Sequence, residues 1–254
     1  MLDITDRGPV RVLRLQRPPV NALDPALITA LRSAVETAPR DGARALLLAG
    51  TPGRFSGGLD LRVLLGLDRE ALRPVWQDFF ELMAGLATSP IPVAAAMTGH
   101  APAGGTVLGI FCDYRVLAEG GFKVGLNEVQ VGLPLPHPIY RAFERLIGPR
   151  IAERMAVEGT LIEPAEALAI GLVDELAPVD EVEARAEAWC RRVVDLPPSA
   201  FEQTRRRARQ PLAGYFSTGA AREQEVEGLL DAWFGDECQR TLRGVLAALG
   251  GRKS

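Results

Sequence analysis

Two short runs, Ala45–Ala49 (ALLLA) and Val93–Met97 (VAAAM), contain no polar side chain. A strand that is apolar on both faces must be covered on both faces, which points to a parallel sheet sandwiched by helices. Helical patterns occupy the intervals. Asp24-Pro25 supplies an N-cap with proline at the first helical position, and Leu27, Leu31 and Val35 form one apolar face through to Thr37. Glu70–Thr88 is helical in pattern and is stopped by Ser89-Pro90-Ile91-Pro92. Ahead of both, Val10–Leu15 alternates like a half-buried strand until Arg17-Pro18-Pro19 ends it. Strands alternating with helices predict right-handed crossover units, hence an α/β protein.

The stretch from Thr98 to Gly132 carries the most chemistry. A small-residue turn, Gly99–Ala103, is followed by the pair Gly104-Gly105 and the apolar segment Thr106–Cys112. Strand, tight turn and helix in that order leave the first helical N–H groups without intrahelical partners, a place that favours developing negative charge. Further on, the single carboxylate Glu128 sits in the loop-like GLNE segment. An anion-stabilising backbone and one placed carboxylate are what proton transfer beside a carbonyl requires. Plain turn chemistry and a solvated glutamate are the alternatives to that reading. The second informative stretch is Thr51–Asp60, TPGRFSGGLD. Gly57 and Gly58 either present successive N–H groups to an anion, or form a connection in which Asp60 caps the next helix.

Beyond Gly132 the pattern is mostly helical: Pro138–Leu146, Pro149–Glu158, a helix from Glu163-Pro164 to Gly171, then a short strand Leu172–Leu176. Asp180–Val194 is amphipathic, and Ser199–Leu249 has helical periodicity throughout. Leu229, Leu230, Trp233, Leu242, Val245 and Leu246 recur there at helical spacing, a face that needs either the core or another subunit to pack on, its burial expected to be completed in a symmetric assembly. The organisation expected is a core over 1–198 and a helical oligomerisation region over 199–254.

Composition excludes several classes. A net charge of −3 gives no reason to expect nucleic acid. No apolar run is long enough to span a bilayer, so no membrane partner is expected. The three cysteines are widely spaced and match no metal pattern or complete disulfide framework, and the first residues lack a signal-peptide pattern. The location expected is therefore a reducing cytoplasm. G-x-G-x-x-G, P-loop and G-x-S-x-G patterns are absent. Only two histidines occur, too far apart for a metal site. His100 suits a structural hydrogen bond, whereas His137, between two prolines, is a candidate to line a pocket. Arg205, Arg206 and Arg207 are either a phosphate receiver or a solvated face.

Taken in order, Pro18–Leu23 (PPVNAL), Phe55–Leu61 (FSGGLDL), Ala103-Gly104-Gly105, Cys112–Arg115 (CDYR), Pro164–Leu168 (PAEAL) and Gly171–Asp174 (GLVD) resemble the crotonase, or enoyl-CoA hydratase/isomerase, superfamily over nearly the whole chain. The GLNE and CDYR segments most resemble the mitochondrial Δ3,Δ2-enoyl-CoA isomerases of that superfamily. The resemblance implies an α/β spiral of ββα turns holding an acyl-CoA thioester, with a helical C-terminal region that assembles a homotrimer or homohexamer. It implies an oxyanion hole from the backbone N–H groups of Leu59 and Gly104, with Glu128 as acid/base. It also implies that CoA runs past Val20, Ala22, Ser56, Gly57, Gly58, Asp60, Leu61 and Asn127. No cofactor is implied, because coenzyme A is part of the substrate.

Departures from the family pattern point to the reaction. Hydratases that resemble this chain carry a second glutamate one turn into the helix after the glycine pair. Here that position is Val107, expected to line the pocket and keep water from the intermediate. Moving a double bond from C3 to C2 needs one proton-transfer group, so Δ3,Δ2-enoyl-CoA isomerisation in fatty-acid metabolism is the expected activity. The alternatives are a hydratase, another crotonase-type reaction such as hydrolysis or decarboxylation, and a silent acyl-CoA-binding paralogue. GLPLPHP at Gly132–Pro138 replaces the Pro-Gly-Ala-Gly-Gly turn of many relatives, which makes the shape of the acyl pocket particular to this chain.

Overall fold

A computed structural model describes residues 1–251. The last three residues of the region expected over 199–254 lie outside it. The two apolar runs form β3 (Ala45–Ala49) and β5 (Val93–Met97), adjacent and parallel near the middle of a six-stranded sheet. Its order is β1 (Leu2–Arg7), β2 (Val10–Leu15), β3, β5, β7 (Tyr114–Ala118) and β9 (Glu175–Ala177). Only β1 runs antiparallel.

Alternate side chains of each central strand enter different cores, as the two-residue period requires. Leu46, Leu48, Val93, Ala95 and Met97 join the main core with helices α1 (Pro25–Thr37) and α3 (Arg69–Thr88). Ala45, Leu47, Ala49, Ala94 and Ala96 join a smaller core beneath α8 (Val182–Val194). The side facing α8 is rich in alanine, so the helix can lie close to the sheet.

A second sheet of three short parallel strands stands beside the first: β4 (Gly53–Arg54), β6 (Gly99–Pro102) and β8 (Val124–Gly125). The expected turn at Gly99–Ala103 is thus mainly the strand β6, with the turn confined to Ala103. Two short helices stem from the loops between the sheets, α2 (Leu61–Leu64) and α4 (Gly104–Ile110).

The chain then continues through α5 (His137–Ile147), α6 (Pro149–Glu158) and α7 (Pro164–Ala169). The strand expected at Leu172–Leu176 lies further along, as β9. Leu172 N–H and Val173 N–H both donate to Ala167 O, so these apolar residues close α7 before the strand begins.

Three helices close the described residues: α9 (Pro198–Gly214), α10 (Ala220–Phe234) and α11 (Asp236–Gly251). Leu229, Leu230, Trp233 and Leu242 are buried within the single chain, which corrects for these four the expectation that subunit contact completes their burial; Val245 and Leu246 are half-buried. The surface that covers them is the chain's own. Trp233 meets Trp76 of α3 edge-on at 6.1 Å, and Arg69 and Arg73 of α3 pair with Glu227 of α10.

Arg205 of α9 is drawn inward, donating to both carboxylate oxygens of Asp113 and to Ser89 O. Arg206 pairs with Glu202 and Arg207 is exposed. Arg205 therefore has internal partners in place of a ligand phosphate. Among the described residues, no helix is long and apolar enough to cross a membrane.

Candidate active site

Three segments converge on one cavity. The first is the loop 55–60, held almost entirely by its own backbone. Gly57 N–H donates to Val20 O at 2.7 Å, and Asp60 N–H to Leu23 O at 2.9 Å. Ser56 Oγ donates to Asn21 O and accepts from Gly58 N–H at 3.2 Å. The amides on either side are thus engaged, while Leu59 N–H has no protein acceptor among the described residues. Gly57 and Gly58 do not form the open pair of donors that was one reading of the sequence. Their engagement aims the next amide.

The second segment is the start of α4. Ala103 has φ +48° and ψ −120°, a conformation that an L-residue adopts only at a cost of about 1–3 kcal/mol. Its N–H donates to Gly125 O at 2.8 Å, which holds the kink in place. The intrahelical ladder begins with Val107 N–H to Ala103 O, so the Gly104 amide precedes it and stays free.

The two segments touch through their backbones. A β-carbon on Gly104 would stand 3.4 Å from Leu59 N, and one on Gly105 would stand 2.6 Å from Ser56 O. Only glycine permits that approach, and it brings the free amides of Leu59 and Gly104 together.

The third segment follows β8. Asn127 leads into a 3-10 turn, Glu128–Val131, which Gly132 closes at φ +77°. Gly125 N–H donates to Thr106 Oγ1 at 2.8 Å, and that hydroxyl donates to Ala101 O at 2.6 Å. One side chain of α4 thereby ties the glutamate-bearing segment to the segment that carries the free Gly104 amide. Glu128 Oε2 is buried without a hydrogen-bond partner. Burial raises its carboxyl pKa to about 7, because the ionised form loses solvation and no cation compensates.

The cavity between these segments has a volume of about 220 Å³. Among the predicted site residues, Gly57, Leu59, Leu61, Gly104, Asn127 and Glu128 line it. Val20 and Ala22 are half-buried nearby but off its wall, although Val20 lies against Gly57. Ser56 and Gly58 serve in the loop's internal bonds. Asp60 is a helix cap, accepting from Arg62 N–H and Val63 N–H and pairing with Arg17 at 2.6 Å.

Two expected wall residues lie elsewhere. Val107 is buried in the main core, because the cavity meets α4 at its end and borders only Ala103 and Gly104. His137 is exposed at the start of α5, its N–H donating to Glu225 Oε1. The neighbouring Pro136 and Ile139 line the cavity in its place. His100 makes the structural bond expected of it, with Nδ1 accepting from Lys123 N–H at 3.1 Å.

Much of the apolar wall was not identified from the sequence. Trp76 and Phe79 of α3, Leu133, Leu229 of α10 and Val245 of α11 all contribute. Their spacing is that of ordinary core positions. Glu128 is the sole carboxylate among the described lining residues. No grouping of three or more potential metal ligands occurs among the described residues.

The sequence model of the enoyl-CoA hydratase/isomerase family matches residues 6–233. The chain belongs to that family. It is 32% identical over 255 residues to the mouse protein named enoyl-CoA delta isomerase 1, mitochondrial, covering 98% of this chain and 88% of that one. The crystal structure of human mitochondrial Δ3-Δ2-enoyl-CoA isomerase superposes with a TM-score of 0.93 at 30% identity, covering 100% of this chain and 99% of the other. A Mycobacterium avium protein named probable enoyl-CoA hydratase echA17 is 33% identical over 194 residues, or 75% of this chain and 74% of its own length. The crotonase-type fold inferred from the PPVNAL, FSGGLDL and AGG motifs is therefore the fold of the chain.

Proposed function

We propose that the protein is an enoyl-CoA isomerase that shifts the double bond of a 3-enoyl-CoA thioester to the 2-position. The observation that carries this reading is the solitary Glu128: an unpaired carboxylate, titrating at about 7, on an otherwise uncharged wall beside two free backbone amides. The thioester oxygen accepts from Leu59 N–H and Gly104 N–H. Glu128 removes a proton from C2, and the electron pair left behind delocalises over the oxygen, C2 and C4 as a dienolate. The same carboxyl returns the proton at C4, leaving the double bond between C2 and C3.

Each backbone donor in such a hole is worth roughly 3–4 kcal/mol to the transition state. A group with its pKa near working pH can both take and return a proton. Hydration would need a second group to activate water, and the described wall provides no second carboxylate.

CoA enters as part of the substrate, and no separate cofactor is needed. The setting proposed is the cytoplasm. A homotrimer or homohexamer completes the reading, with exposed apolar residues such as Val129 and Val157 available for subunit contact.

Paired assays on the purified protein test the assignment: conversion of 3-hexenoyl-CoA and addition of water to 2-hexenoyl-CoA. Fast isomerisation with hydration slower by orders of magnitude is expected. Hydration at a comparable rate would overturn the isomerase reading in favour of the hydratase activity named for some relatives.

A further inference from the structure

The apolar part of the cavity is assembled from helices far apart in the chain. Trp76 belongs to α3, Leu229 to α10 and Val245 to α11. Trp76 is 4% exposed and fixed by two aromatic neighbours, Phe79 with ring centroids 6.3 Å apart and Trp233 at 6.1 Å. Both contacts are edge-on, at interplanar angles of 61° and 76°. Trp233 is fully buried and Leu229 is 4% exposed, so the wall behind Trp76 is itself packed core. A core at that density does not swing aside for a longer ligand without displacing several side chains.

The cavity volume of about 220 Å³ sets the scale. We propose that Trp76, Leu229 and Val245 form a stop that sets the acyl chain length. The protein then takes short and medium acyl-CoA thioesters and disfavours long-chain ones. This deepens the acyl-CoA reading above and rests on it. The selectivity comes from the C-terminal helices, while the proton chemistry comes from the loops.

Binding of saturated acyl-CoA esters tests the stop without any turnover. Calorimetry with butanoyl-, hexanoyl-, octanoyl-, dodecanoyl- and hexadecanoyl-CoA should show affinity rising about fourfold per added methylene and then ceasing to rise before hexadecanoyl-CoA. Trp76→Leu and Val245→Ala should each move that break to longer chains. Val245 is only half-buried, so its variant reports even where the tryptophan variant fails to fold. Affinity that climbs steadily through hexadecanoyl-CoA would overturn the proposal, as would a break that stays in place in Val245→Ala. An intact, movable break in a protein that does not isomerise 3-hexenoyl-CoA would support the stop and count against the reaction alone. Failure to bind any of the esters would overturn both.

Discussion

Gly58 and Gly104 face each other so closely that a β-carbon on Gly58 would stand 3.2 Å from the Gly104 amide nitrogen. Gly58 also has φ +82°, where an L-side chain is strained. Gly58→Ala should therefore push the free amides of Leu59 and Gly104, the proposed oxyanion donors, apart. Misplacement of about 1 Å can cost on the order of 100-fold in rate, so kcat should fall by roughly that amount. Steady-state kinetics would check this; wild-type kcat in a folded Gly58→Ala protein would show that the contact does not set the donor geometry.

Glu128→Gln keeps shape and removes the base. Isomerase kcat should drop by at least about 100-fold, as for loss of a general acid–base. The same carboxyl gives the wild-type pH profile: kcat/KM should rise with pH and level off above about 7, as Glu128 ionises in the free enzyme.

Stability should respond in the opposite sense. The folded-state pKa of Glu128 lies above its ordinary value of 4.5, so the folded form holds a proton more tightly than the unfolded one. Stability from this group is present below pH 4.5 and declines as pH rises through about 7. The full decline is of the order of 3 kcal/mol. Glu128→Gln should remove it, so denaturant midpoints at pH 8 should be higher in the inactive variant than in the wild type. A wild-type stability flat between pH 5 and 8, after correction by this variant, would contradict the raised pKa.

Thr106 ties the glutamate segment to α4, accepting from Gly125 N–H while its hydroxyl donates to Ala101 O of β6. Thr106→Val preserves its shape while leaving Gly125 N–H buried without an acceptor. A loss of about 1–3 kcal/mol is expected for an orphaned buried donor, measured by chemical denaturation. Because Gly125 precedes Glu128 by three residues, kcat should fall more than KM rises. Thr106→Ser should restore both.

Asp113 is the counter-ion that holds α9 against the sheet. It accepts from Val93 N–H and pairs with Arg205 and Arg209, the latter 8% exposed. Asp113→Ala would leave the buried Arg209 without its carboxylate, at a cost of about 3–5 kcal/mol. Thermal unfolding should show the loss. Unchanged melting would mean that the carbonyl oxygens of Leu86, Ala87 and Phe111 suffice for the guanidinium.

The legible parts of the sequence were those where backbone constraints leave few choices. β3 and β5 were evident because a fully apolar five-residue run has to be covered twice. The glycine pair marked the start of α4, since close approach and a free amide both favour glycine there. β1 was not evident because its inner residues Asp3–Asp6 are exposed, and an edge strand without a buried face leaves no apolar alternation. The roles of Trp76 and Leu229 were hidden for another reason. A side chain that lines a cavity and one that fills a core obey the same spacing, and only the fold decides which one meets empty space. Val107 was misplaced because sequence spacing gives the face of a helix and not which end of it the cavity touches.

Val245 belongs to the last helix, yet it borders the same space as Gly57. During synthesis on the ribosome, the oxyanion loop, Glu128 and the whole parallel sheet emerge long before that helix does. A nascent chain that ends before α10 would carry Glu128 and the free amides of Leu59 and Gly104 with the apolar cleft still open to water. Enclosure of the cavity waits until α10 and α11 have emerged and packed against α3.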